Sequence, residues 1–393
     1  MTAENESVET KLFSPLKIKS VTFKNRVVVS PMCQYSAKDG HPQQWHFDHH
    51  TRYAEGGVGL GFVEATGVEP RGRITHGCTG LWSDDQIAPM TRICEIYERK
   101  GAVPGIQIAH AGRKAASQRP WEGNNALGEA DAARGDALWQ VVGPTSEAQH
   151  EAWHAPHALS TDEIGEVVEA WRQATIRARK AGFKVLEIHG AHGYLIHSFF
   201  SPLSNRRNDA YGGGLEQRMR FALEVTEAVR KEWPEDLPLF YRVSAVDGIE
   251  GGVEIEDTVE LAKVLMERGV DVLDCSGGGI RGSAIQTTST IAMAAGLRPV
   301  PGFQVPYAER VRKDAGMMTM AVGYITEARQ AETILQEECA DLIALGRELL
   351  NDPFWALHAA QELGADPDFE MCPEQYGWYL TRRAASMRLP EAE

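Results

Sequence analysis

The chain has 393 residues and carries 40 Lys and Arg residues against 55 Asp and Glu residues, a formal net charge of −15. This acidic balance argues against nucleic acid and against an anionic membrane surface as partners. No apolar run approaches the roughly 20 residues needed to span a bilayer, and the polar start of the sequence is unlike a secretory or mitochondrial leader. Six scattered cysteines without a C-x-x-C pair favour a reduced, cytoplasmic protein with no disulfide framework and no iron–sulfur cluster.

Eight short apolar runs recur along the chain, and a helix-like stretch follows each of them. The runs cover residues 27–30, 60–65, 105–109, 185–189, 239–244, 272–275, 318–322 and 342–345. Runs that are apolar on both faces and separated by helices are typical of a buried parallel sheet. Eight such units in an unbroken series predict a single (β/α)8 TIM barrel, an α/β fold, rather than two doubly wound domains.

The barrel is predicted over residues 12–362, preceded by a loose N-terminus at 1–11 and followed by a C-terminal arm at 363–393. The interval between the third and fourth runs is too long for one βα unit and leaves an excess at 111–159 without clear helical periodicity. In a barrel this extra segment begins at the C-terminal end of strand 3, which lies on the active-site face, so we interpret it as a lid. A solvent-exposed decoration is the alternative.

Helix signals support this division of the chain. Ser160 and Glu163 form a capping box ahead of an apolar series with helical spacing, which predicts the start of a helix. Gly269 has the position of a C′ glycine after a helix that begins near Glu256. Thr326 opens a further segment of the same kind.

Glycines follow the last two strands of the predicted barrel. Gly323 comes after strand 7, and Gly346 with Arg347 comes after strand 8. Backbone N–H groups on these two loops form the usual phosphate site of such barrels, and an arginine can add a bidentate contact. We therefore expect a phosphorylated substrate or cofactor here, although two tight βα turns would carry the same glycines.

Strand 4 ends in a cluster of polar side chains, His189, His192 and Tyr194. We predict no metal, because a zinc site needs further histidine or acidic ligands and the other strand ends supply mainly neutral or cationic groups. Two histidines at one strand end suit hydrogen-bond donation to a carbonyl oxygen that gains charge, and Tyr194 can supply a proton. Each residue alone could be an ordinary core side chain, but their clustering favours function.

Two further motifs have structural explanations. Residues 277–282 match G-x-G-x-x-G, but the following segment is weakly helical and no acid lies about 20 residues on, so we interpret it as a flexible site loop. His46, His49 and His50 share a helix face directly after strand 1, where packing or surface exposure is the expected role.

Together, segments from nearly the whole chain resemble the old yellow enzyme family, specifically its bacterial thermophilic-like ene-reductase branch. The matching segments include SPMC at 30–33, VEAT at 63–66, QIAHAGR at 107–113, HGAHGY at 189–194, SPLSN at 201–205, RVS at 242–244 and ALGR at 344–347. Single pieces are common, but their combination is specific to this family.

The resemblance implies FMN bound noncovalently at the barrel mouth. The residues it implies as cofactor contacts are Ser30, Pro31, Met32, Cys33, Ala65, Gln107, Arg242, Gly323, Gly346 and Arg347. Arg242 would face the ring edge where negative charge accumulates in reduced flavin, which should raise the reduction potential. Cys33 would tune the flavin, and the alternative is a small buried filler.

The resemblance also implies a ping-pong reaction. NADPH or NADH gives a hydride to N5 and leaves, and an α,β-unsaturated carbonyl, imide or nitro compound then receives the hydride at its β-carbon. His189 and His192 would hold the substrate oxygen. Tyr194 would protonate the α-carbon, and Tyr35 would close the pocket.

Relatives of this branch carry a C-terminal aromatic–arginine segment that reaches a neighbouring subunit's site, so a homodimer or homotetramer is expected. Trp378 could line a partner's pocket, whereas Arg382 and Arg383 leave open which arginine, if either, reaches across.

Three other functions fit parts of the sequence. A flavin-free TIM barrel acting on phosphorylated substrates would need a lysine or a basic carboxylate at a strand end, where only Glu64 is near. An iron–sulfur dienoyl reductase would need a cysteine cluster and further domains. A flavin-binding module without turnover would not need the set of His189, His192 and Tyr194.

Overall fold

The computed structural model describes residues 8–280 and 300–387. The strands of this part of the chain are β1 (Leu16–Ile18), β2 (Val21–Phe23), β3 (Val27–Val29), β4 (Leu60–Gly67), β5 (Val103–Ala109), β6 (Val142–Gly143), β7 (His157–Ala158), β8 (Val185–Gly190), β9 (Leu239–Ser244), β10 (Val272–Ser276), β11 (Met318–Ala321) and β12 (Leu342–Leu345). The α-helices are α1 (Gln44–Glu55), α2 (Ile87–Glu98), α3 (Glu129–Ala133), α4 (Thr161–Ala181), α5 (Leu195–Phe200), α6 (Leu215–Glu232), α7 (Ile255–Glu267), α8 (Val305–Ala315), α9 (Ala328–Gln336), α10 (Arg347–Asn351), α11 (Trp355–Glu362) and α12 (Glu374–Met387).

Eight of the strands close a barrel in the order β3, β4, β5, β8, β9, β10, β11 and β12, with β12 returning to β3. Every neighbouring pair in this barrel is parallel. The predicted α/β barrel is therefore confirmed, and the ends of its strands differ from the predicted runs by at most two residues.

A short antiparallel hairpin, β1 with β2, precedes the barrel and was not predicted. Its Ile18, Val21 and Phe23 are buried in one apolar cluster with side chains of the barrel interior. The barrel members of this cluster include the first residues of five strands: Leu60, Val103, Val185, Val272 and Leu342. Because the cluster fills the end of the barrel where the strands begin, the opposite end is left for ligands.

Strand β4 is irregular at residues 63–66, where its register against β5 shifts. Such a bulge interrupts the regular alternation of side chains. Within it, the buried Glu64 accepts a hydrogen bond from the Gln34 backbone N–H at 2.8 Å and lies 3.2 Å from His46 Nε2. The neighbouring Ala65 lines the site described below.

The three histidines of α1 are all buried, and two have identified partners. His46 lies against Glu64, and His50 Nδ1 lies 2.8 Å from the Tyr97 hydroxyl. These contacts agree with the packing role expected for the cluster.

The helix signals read from the sequence are also confirmed. At the start of α4, Ser160 Oγ accepts a hydrogen bond from the Glu163 backbone N–H at 3.3 Å, and the Glu163 carboxylate accepts one from the Ser160 N–H at 2.7 Å. After α7, Gly269 has φ +83°, the left-handed conformation that glycine adopts freely. The helix expected near Thr326 is α9.

Residues 8–11, which belong to the loose N-terminus predicted at 1–11, are held in place by hydrogen bonds and burial. Val8 N–H donates to Gly364 O at 2.9 Å, and the Glu332 carboxylate accepts the Lys11 backbone N–H at 2.8 Å. Thr10 is buried. Residues 1–7 lie outside the described part of the chain.

The segment at 111–159 contains α3 and the strand β6, which pairs in parallel with β7. Pro120 and Trp121 of this segment reach the site, and its role as a lid stays a prediction. Among the helices within 8–280 and 300–387, none is long and apolar enough to cross a membrane.

Candidate active site

Two adjoining cavities lie at the end of the barrel where the strands finish. One has a volume of about 470 Å³ and is lined by Gly323 and Gly346, and we call it the glycine-lined cavity. The other has a volume of about 280 Å³ and is lined by Tyr35 and Tyr194, and we call it the tyrosine-lined cavity. The residues common to both are Pro31, His192 and Arg242. Because the cavities share these walls, a single elongated ligand can occupy both.

The structure brings nearly all of the sequence-predicted site residues to these cavities. Those at the glycine-lined cavity are Ser30, Pro31, Met32, His192, Arg242, Gly323, Gly346 and Arg347. Those at the tyrosine-lined cavity are Pro31, Cys33, Tyr35, Ala65, Gln107, His189, His192, Tyr194 and Arg242. Trp378 lines neither cavity, and on α12 its side chain is 53% exposed.

Gly323 lines the cavity with backbone atoms only, and both its conformation and its surroundings disfavour a side chain. Its φ of +116° lies in the region that side-chain-bearing residues rarely adopt. A Cβ atom there would also lie 2.7 Å from Gln304 Oε1. Gly346 is different, because its Cβ would meet only Met32 Sδ at an ordinary 3.7 Å.

Arg347 begins α10 at the rim of the glycine-lined cavity and is exposed. Its guanidinium carbon lies 4.5 Å from the centroid of the Tyr324 ring, and its Nη1 donates to the Tyr324 hydroxyl at 3.3 Å. The tyrosine thus holds the arginine over the cavity edge, where it can meet an anionic group.

The histidine pair forms a chain of hydrogen-bonding groups. His189 Nδ1 accepts the Ala191 N–H at 3.2 Å, so the proton of the neutral ring is on Nε2. That Nε2 lies 3.3 Å from His192 Nδ1. His192 Nε2 lies 2.8 Å from the Ser276 hydroxyl, which accepts from Gln304 Nε2 at 3.4 Å.

The partner of each ring determines where its proton lies. Because Ser276 accepts from Gln304, its own proton is free to be donated to His192 Nε2. With the Ser276 proton donated in this way, the ring proton of His192 is on Nδ1. When Ser276 instead accepts from both Gln304 and His192, that proton is on Nε2 and His192 Nδ1 accepts from His189 Nε2. His189 thus directs an N–H towards the gap, and His192 directs a second one there in the tautomer with its proton on Nδ1. An oxygen acceptor in the gap favours that tautomer, because it then receives both hydrogen bonds.

Both imidazoles are neutral at neutral pH. Burial, and after it the positive Arg242, holds the pKa of His189 and of His192 well below the usual range. Each ring therefore has one N–H to donate rather than two.

The backbone of His192 is in the left-handed region, with φ +60°. Its N–H donates to Ser244 Oγ at 2.9 Å, and its carbonyl oxygen accepts from Lys114 Nζ at 2.8 Å. A Cβ on Gly279 would lie 2.5 Å from His192 Cα. These contacts hold a conformation that an isolated histidine rarely adopts.

Tyr194 is buried, and its ring centroid lies 4.9 Å from that of His189. Burial raises the pKa of both Tyr194 and Tyr35, so both keep their phenolic protons. Burial also raises the pKa of the Cys33 thiol, which makes it a neutral group rather than a reactive thiolate.

Beneath the shared wall lies a buried charge cluster. Arg242 Nε lies 3.1 Å from Asp274 Oδ2, and its Nη1 donates to Ser30 Oγ at 3.3 Å. Glu187 Oε1 accepts from Gln107 Nε2 at 2.8 Å. Burial raises the pKa of both carboxyl groups, and the Glu187 pKa is raised further by Asp274. Asp274, with its pKa raised to about 6, is still mostly ionised at neutral pH and pairs with Arg242, whereas the raised pKa of Glu187 keeps that carboxyl protonated; Arg242 therefore has one charged partner rather than two.

Sequence reasoning missed several residues of the site. Asp274 and Ser276 are two apart on β10 and therefore share a face, and two polar residues at this spacing in an apolar strand were an available signal. Gln304 lies in a turn, Tyr324 lies in a bend and Trp121 lies in a three-residue 3-10 helix, so none of them belongs to a periodic pattern.

Within residues 8–280 and 300–387, no group of three or more His, Cys, Asp and Glu side chains is arranged to hold a metal ion. Of the G-x-G-x-x-G stretch, Gly277 lines the glycine-lined cavity. Residues 281–282 lie outside the described part of the chain, so the predicted flexible loop stays a prediction.

Comparison with known proteins extends these observations. Residues 11–366 match the NADH:flavin oxidoreductase / NADH oxidase family. The NADPH dehydrogenase of Bacillus subtilis (strain 168) is 44% identical over 372 residues, which cover 94% of this chain and 99% of the relative. The NADPH dehydrogenase of Halalkalibacterium halodurans is 44% identical over 359 residues, 91% of this chain and 96% of the relative.

Solved structures agree with this match. Morphinone reductase in complex with tetrahydroNAD has a TM-score of 0.70 and 26% identity, covering 91% of this chain and 92% of its own. An old yellow enzyme homologue from Zymomonas mobilis has the same fold, with a TM-score of 0.72 and 24% identity over 90% of this chain and 93% of its own.

The family match includes all of the predicted site residues except Trp378. The protein is an oxidoreductase whose cofactor is FMN and whose reductant is NADPH or NADH. The chain belongs to the NADH:flavin oxidoreductase / NADH oxidase family, the family of the old yellow enzymes.

Proposed function

We propose that this chain is an FMN-dependent ene-reductase. Its substrates would be small activated alkenes, namely α,β-unsaturated carbonyl, imide or nitro compounds. The observation that carries the proposal is the convergence of His189 Nε2 and His192 Nδ1 beside the buried Tyr194 in one cavity. These groups suit an alkene conjugated to a carbonyl or nitro group, whose oxygen gains charge as the alkene takes up a hydride.

The residues present fit FMN. At the glycine-lined cavity, the bare backbone of Gly323 and the rim guanidinium of Arg347 suit an anionic phosphate. In the tyrosine-lined cavity, Gln107 and Arg242 offer donors for the carbonyl oxygens and ring nitrogens of a flavin, and Arg242 lies on the wall that the two cavities share. When bound, FMN takes a hydride from NADPH or NADH and supplies one to the β-carbon of the alkene.

The histidines polarise the substrate in this proposal. As the β-carbon gains a hydride, negative charge develops on the carbonyl or nitro oxygen. The N–H groups of His189 and His192 donate to this oxygen and stabilise the charge without themselves losing a proton. Their low pKa supports this role, because neutral imidazoles donate hydrogen bonds but do not trap the oxygen as a strong ion pair.

Tyr194 supplies the proton for the α-carbon. Its raised pKa keeps the phenol protonated at neutral pH, so the proton is present when the substrate arrives. Tyr35 lines the same cavity, and its ring lies 6.2 Å from that of Trp121, centroid to centroid. These two aromatic rings would close the pocket over the substrate and limit the entry of water.

Arg242 and its buried surroundings support electron transfer to the cofactor. A guanidinium held between Asp274 and Ser30 cannot turn away from the cavity wall. Its positive charge would stabilise negative charge on reduced flavin.

The exposed aromatic side chains of α12 support a homodimer or homotetramer. Tyr376, Trp378 and Tyr379 are 50%, 53% and 69% exposed in the single chain. We propose that they meet a second copy, with Trp378 at the partner's cavity. Analytical ultracentrifugation of Trp378→Ala, together with a measurement of its substrate affinity, tests this. An unchanged oligomer with unchanged substrate affinity would contradict the assignment.

Replacing Tyr194 by Phe tests the proposed function. With FMN-loaded enzyme, reduction by NADPH should be unchanged, whereas oxidation of the reduced enzyme by cyclohexenone should slow about a hundredfold or more. Equal rates of cyclohexenone reduction by the wild type and Tyr194→Phe would contradict the assignment of the acid. A wild-type enzyme that binds FMN but reduces neither cyclohexenone nor maleimide would instead be a flavin-binding module.

A further inference from the structure

A third cavity, of about 20 Å³, adjoins the tyrosine-lined cavity, and the two share only Tyr35 and Tyr194. We call it the side chamber. Six of its ten lining residues come from the segment at 111–159: Lys114, Ser117, Gln118, Asn124, Gln149 and Trp153. Its volume is enough for a water molecule, which needs about 10–15 Å³.

Gln149 has polar side-chain atoms that a water in the side chamber would satisfy. It is 94% buried, as its exposed fraction is 6%, and neither its Nε2 nor its Oε1 has a hydrogen-bond partner among the described residues. Burying an unpaired amide costs about 1–3 kcal/mol, so buried amides that line a polar cavity are normally satisfied by water. Ser117 adds a hydroxyl to the same chamber, and its own proton is donated to Lys114 O at 2.9 Å.

The side chamber is also lined by partly exposed side chains. Tyr194 and Lys114 are buried, but Gln118, Asn124 and Trp153 are only half-buried. The chamber therefore extends from the proposed acid to side chains at the protein surface. This path does not pass through the tyrosine-lined cavity, which substrate or product would fill.

We propose that a water held by Gln149 in the side chamber returns a proton to Tyr194 in every turnover. The inference rests on the proposed function, in which Tyr194 is the acid. The Tyr194 O–H bond breaks as the α-carbon C–H bond forms, and the phenolate oxygen then takes a proton from the chamber water. That water regains a proton from bulk solvent, so each alkene reduced consumes one solvent proton.

Gln149→Leu tests the proposal, because it keeps the size of the side chain and removes both polar atoms. It breaks no hydrogen bond between described residues, so the fold should persist. Gln149→Glu keeps an oxygen in the chamber and serves as the conservative variant. Gln173→Leu is the matched control, since this glutamine of α4 lines neither the side chamber nor the two larger cavities.

The kinetic readout separates the first turnover from later ones. When pre-reduced, FMN-loaded enzyme is mixed with cyclohexenone, Tyr194 starts protonated, so Gln149→Leu should match the wild type in this single turnover. In the steady state the same variant should be about tenfold slower, and a small acid such as imidazolium should restore its rate. Gln149→Glu should stay within about twofold of the wild type.

A second readout does not depend on activity. A high-resolution crystal structure of the wild type should show an ordered water within hydrogen-bonding distance of Gln149, and that of Gln149→Leu should lack it. A chamber without water in the wild type, or a Gln149→Leu variant with wild-type steady-state turnover, would overturn the proposal. If Tyr194→Phe reduces cyclohexenone at the wild-type rate, the assignment of Tyr194 as the acid is wrong. If Tyr194→Phe is slow but Gln149→Leu turns over at the wild-type rate, only the proposed role of the side chamber is wrong.

Discussion

The Nε2 atom of His189 lies 3.3 Å from the Nδ1 atom of His192, and the Ala191 N–H on the far side of the His189 ring places the His189 proton on Nε2, facing this gap. An oxygen bound between these two nitrogens accepts from His189 Nε2 and, when Ser276 donates to His192 Nε2, from His192 Nδ1 as well. The site is thus arranged for a substrate oxygen before any substrate is present, which is the preorganisation that stabilises developing charge.

Ser276 should control the tautomer of His192. Its hydroxyl lies 2.8 Å from His192 Nε2 and favours a proton on Nδ1 when it donates to that nitrogen, and Ser276→Ala removes this donor. We expect cyclohexenone reduction to slow about fivefold, the loss of one neutral hydrogen bond of about 1 kcal/mol, while Ser276→Thr retains activity. Nitrogen-15 NMR of labelled histidine should report Nδ1–H at His192 in the wild type. A dominant Nε2–H signal would contradict the deduction.

Arg347→Ala should weaken FMN binding about tenfold, since a charge-assisted contact to phosphate would be lost. Fluorescence titration of the apoprotein with FMN measures this. Arg329→Ala is a matched control, because Arg329 is another exposed arginine and lies on α9 with Glu362 as its partner. If the wild type, Arg347→Ala and Arg329→Ala bound FMN with the same affinity, Arg347 would not contact the phosphate.

Two glycines of the glycine-lined cavity should respond differently to alanine. Gly323→Ala forces a side chain into φ +116° and against Gln304 Oε1, which should lower the free energy of unfolding by about 2 kcal/mol. Gly346→Ala has room, because its nearest neighbour would be at 3.7 Å. Urea unfolding of both apoproteins compares them, and equal stability would show that the conformation of Gly323 is not required.

Glu69 should make the stability of the protein depend on pH. Burial alone would raise its pKa, but hydrogen bonds from His110 at 2.7 Å and from Arg71 outweigh burial and lower the pKa to about 2. A carboxyl group with a lowered folded-state pKa contributes stability above its unfolded pKa of about 4.3 and loses that contribution as the pH falls towards 2.

The corresponding experiment compares Glu69→Gln with the wild type in urea at pH 7, 5 and 4. The variant should be less stable by about 2 kcal/mol at pH 7, and the difference should begin to shrink below about pH 4.5. A stability difference that is constant over this range would mean that ionisation of Glu69 does not contribute.

Much of the fold could be predicted from the sequence, because eight buried strands have continuous apolar runs and closure of the barrel follows from their number and spacing. The β1–β2 hairpin could not, since two strands of three residues are too short to show a period. The attachment of Lys11 depends on Glu332, more than 300 residues away in sequence, and no local pattern contains such a contact.

The site was predictable to the extent that it lies on strand ends. His189 and Arg242 could be predicted to lie near each other, because parallel strands bring their carboxyl ends to one edge, and the register indeed pairs them. Gln149 and Gln304 come from irregular segments whose path depends on packing, so their positions needed the structure.

The most direct test of the proposed ene-reduction is isotopic labelling of the product of 2-cyclohexenone reduction by the FMN-loaded wild type. With NADPH deuterated at the transferred position of C4, the account predicts cyclohexanone that carries one deuterium at the β-carbon. With unlabelled NADPH in D2O, it predicts one deuterium incorporated at the α-carbon during turnover. The double variant His189→Ala with His192→Ala should keep FMN bound but show no such incorporation. NADPH oxidation without labelled cyclohexanone, or full activity in the double variant, would contradict it.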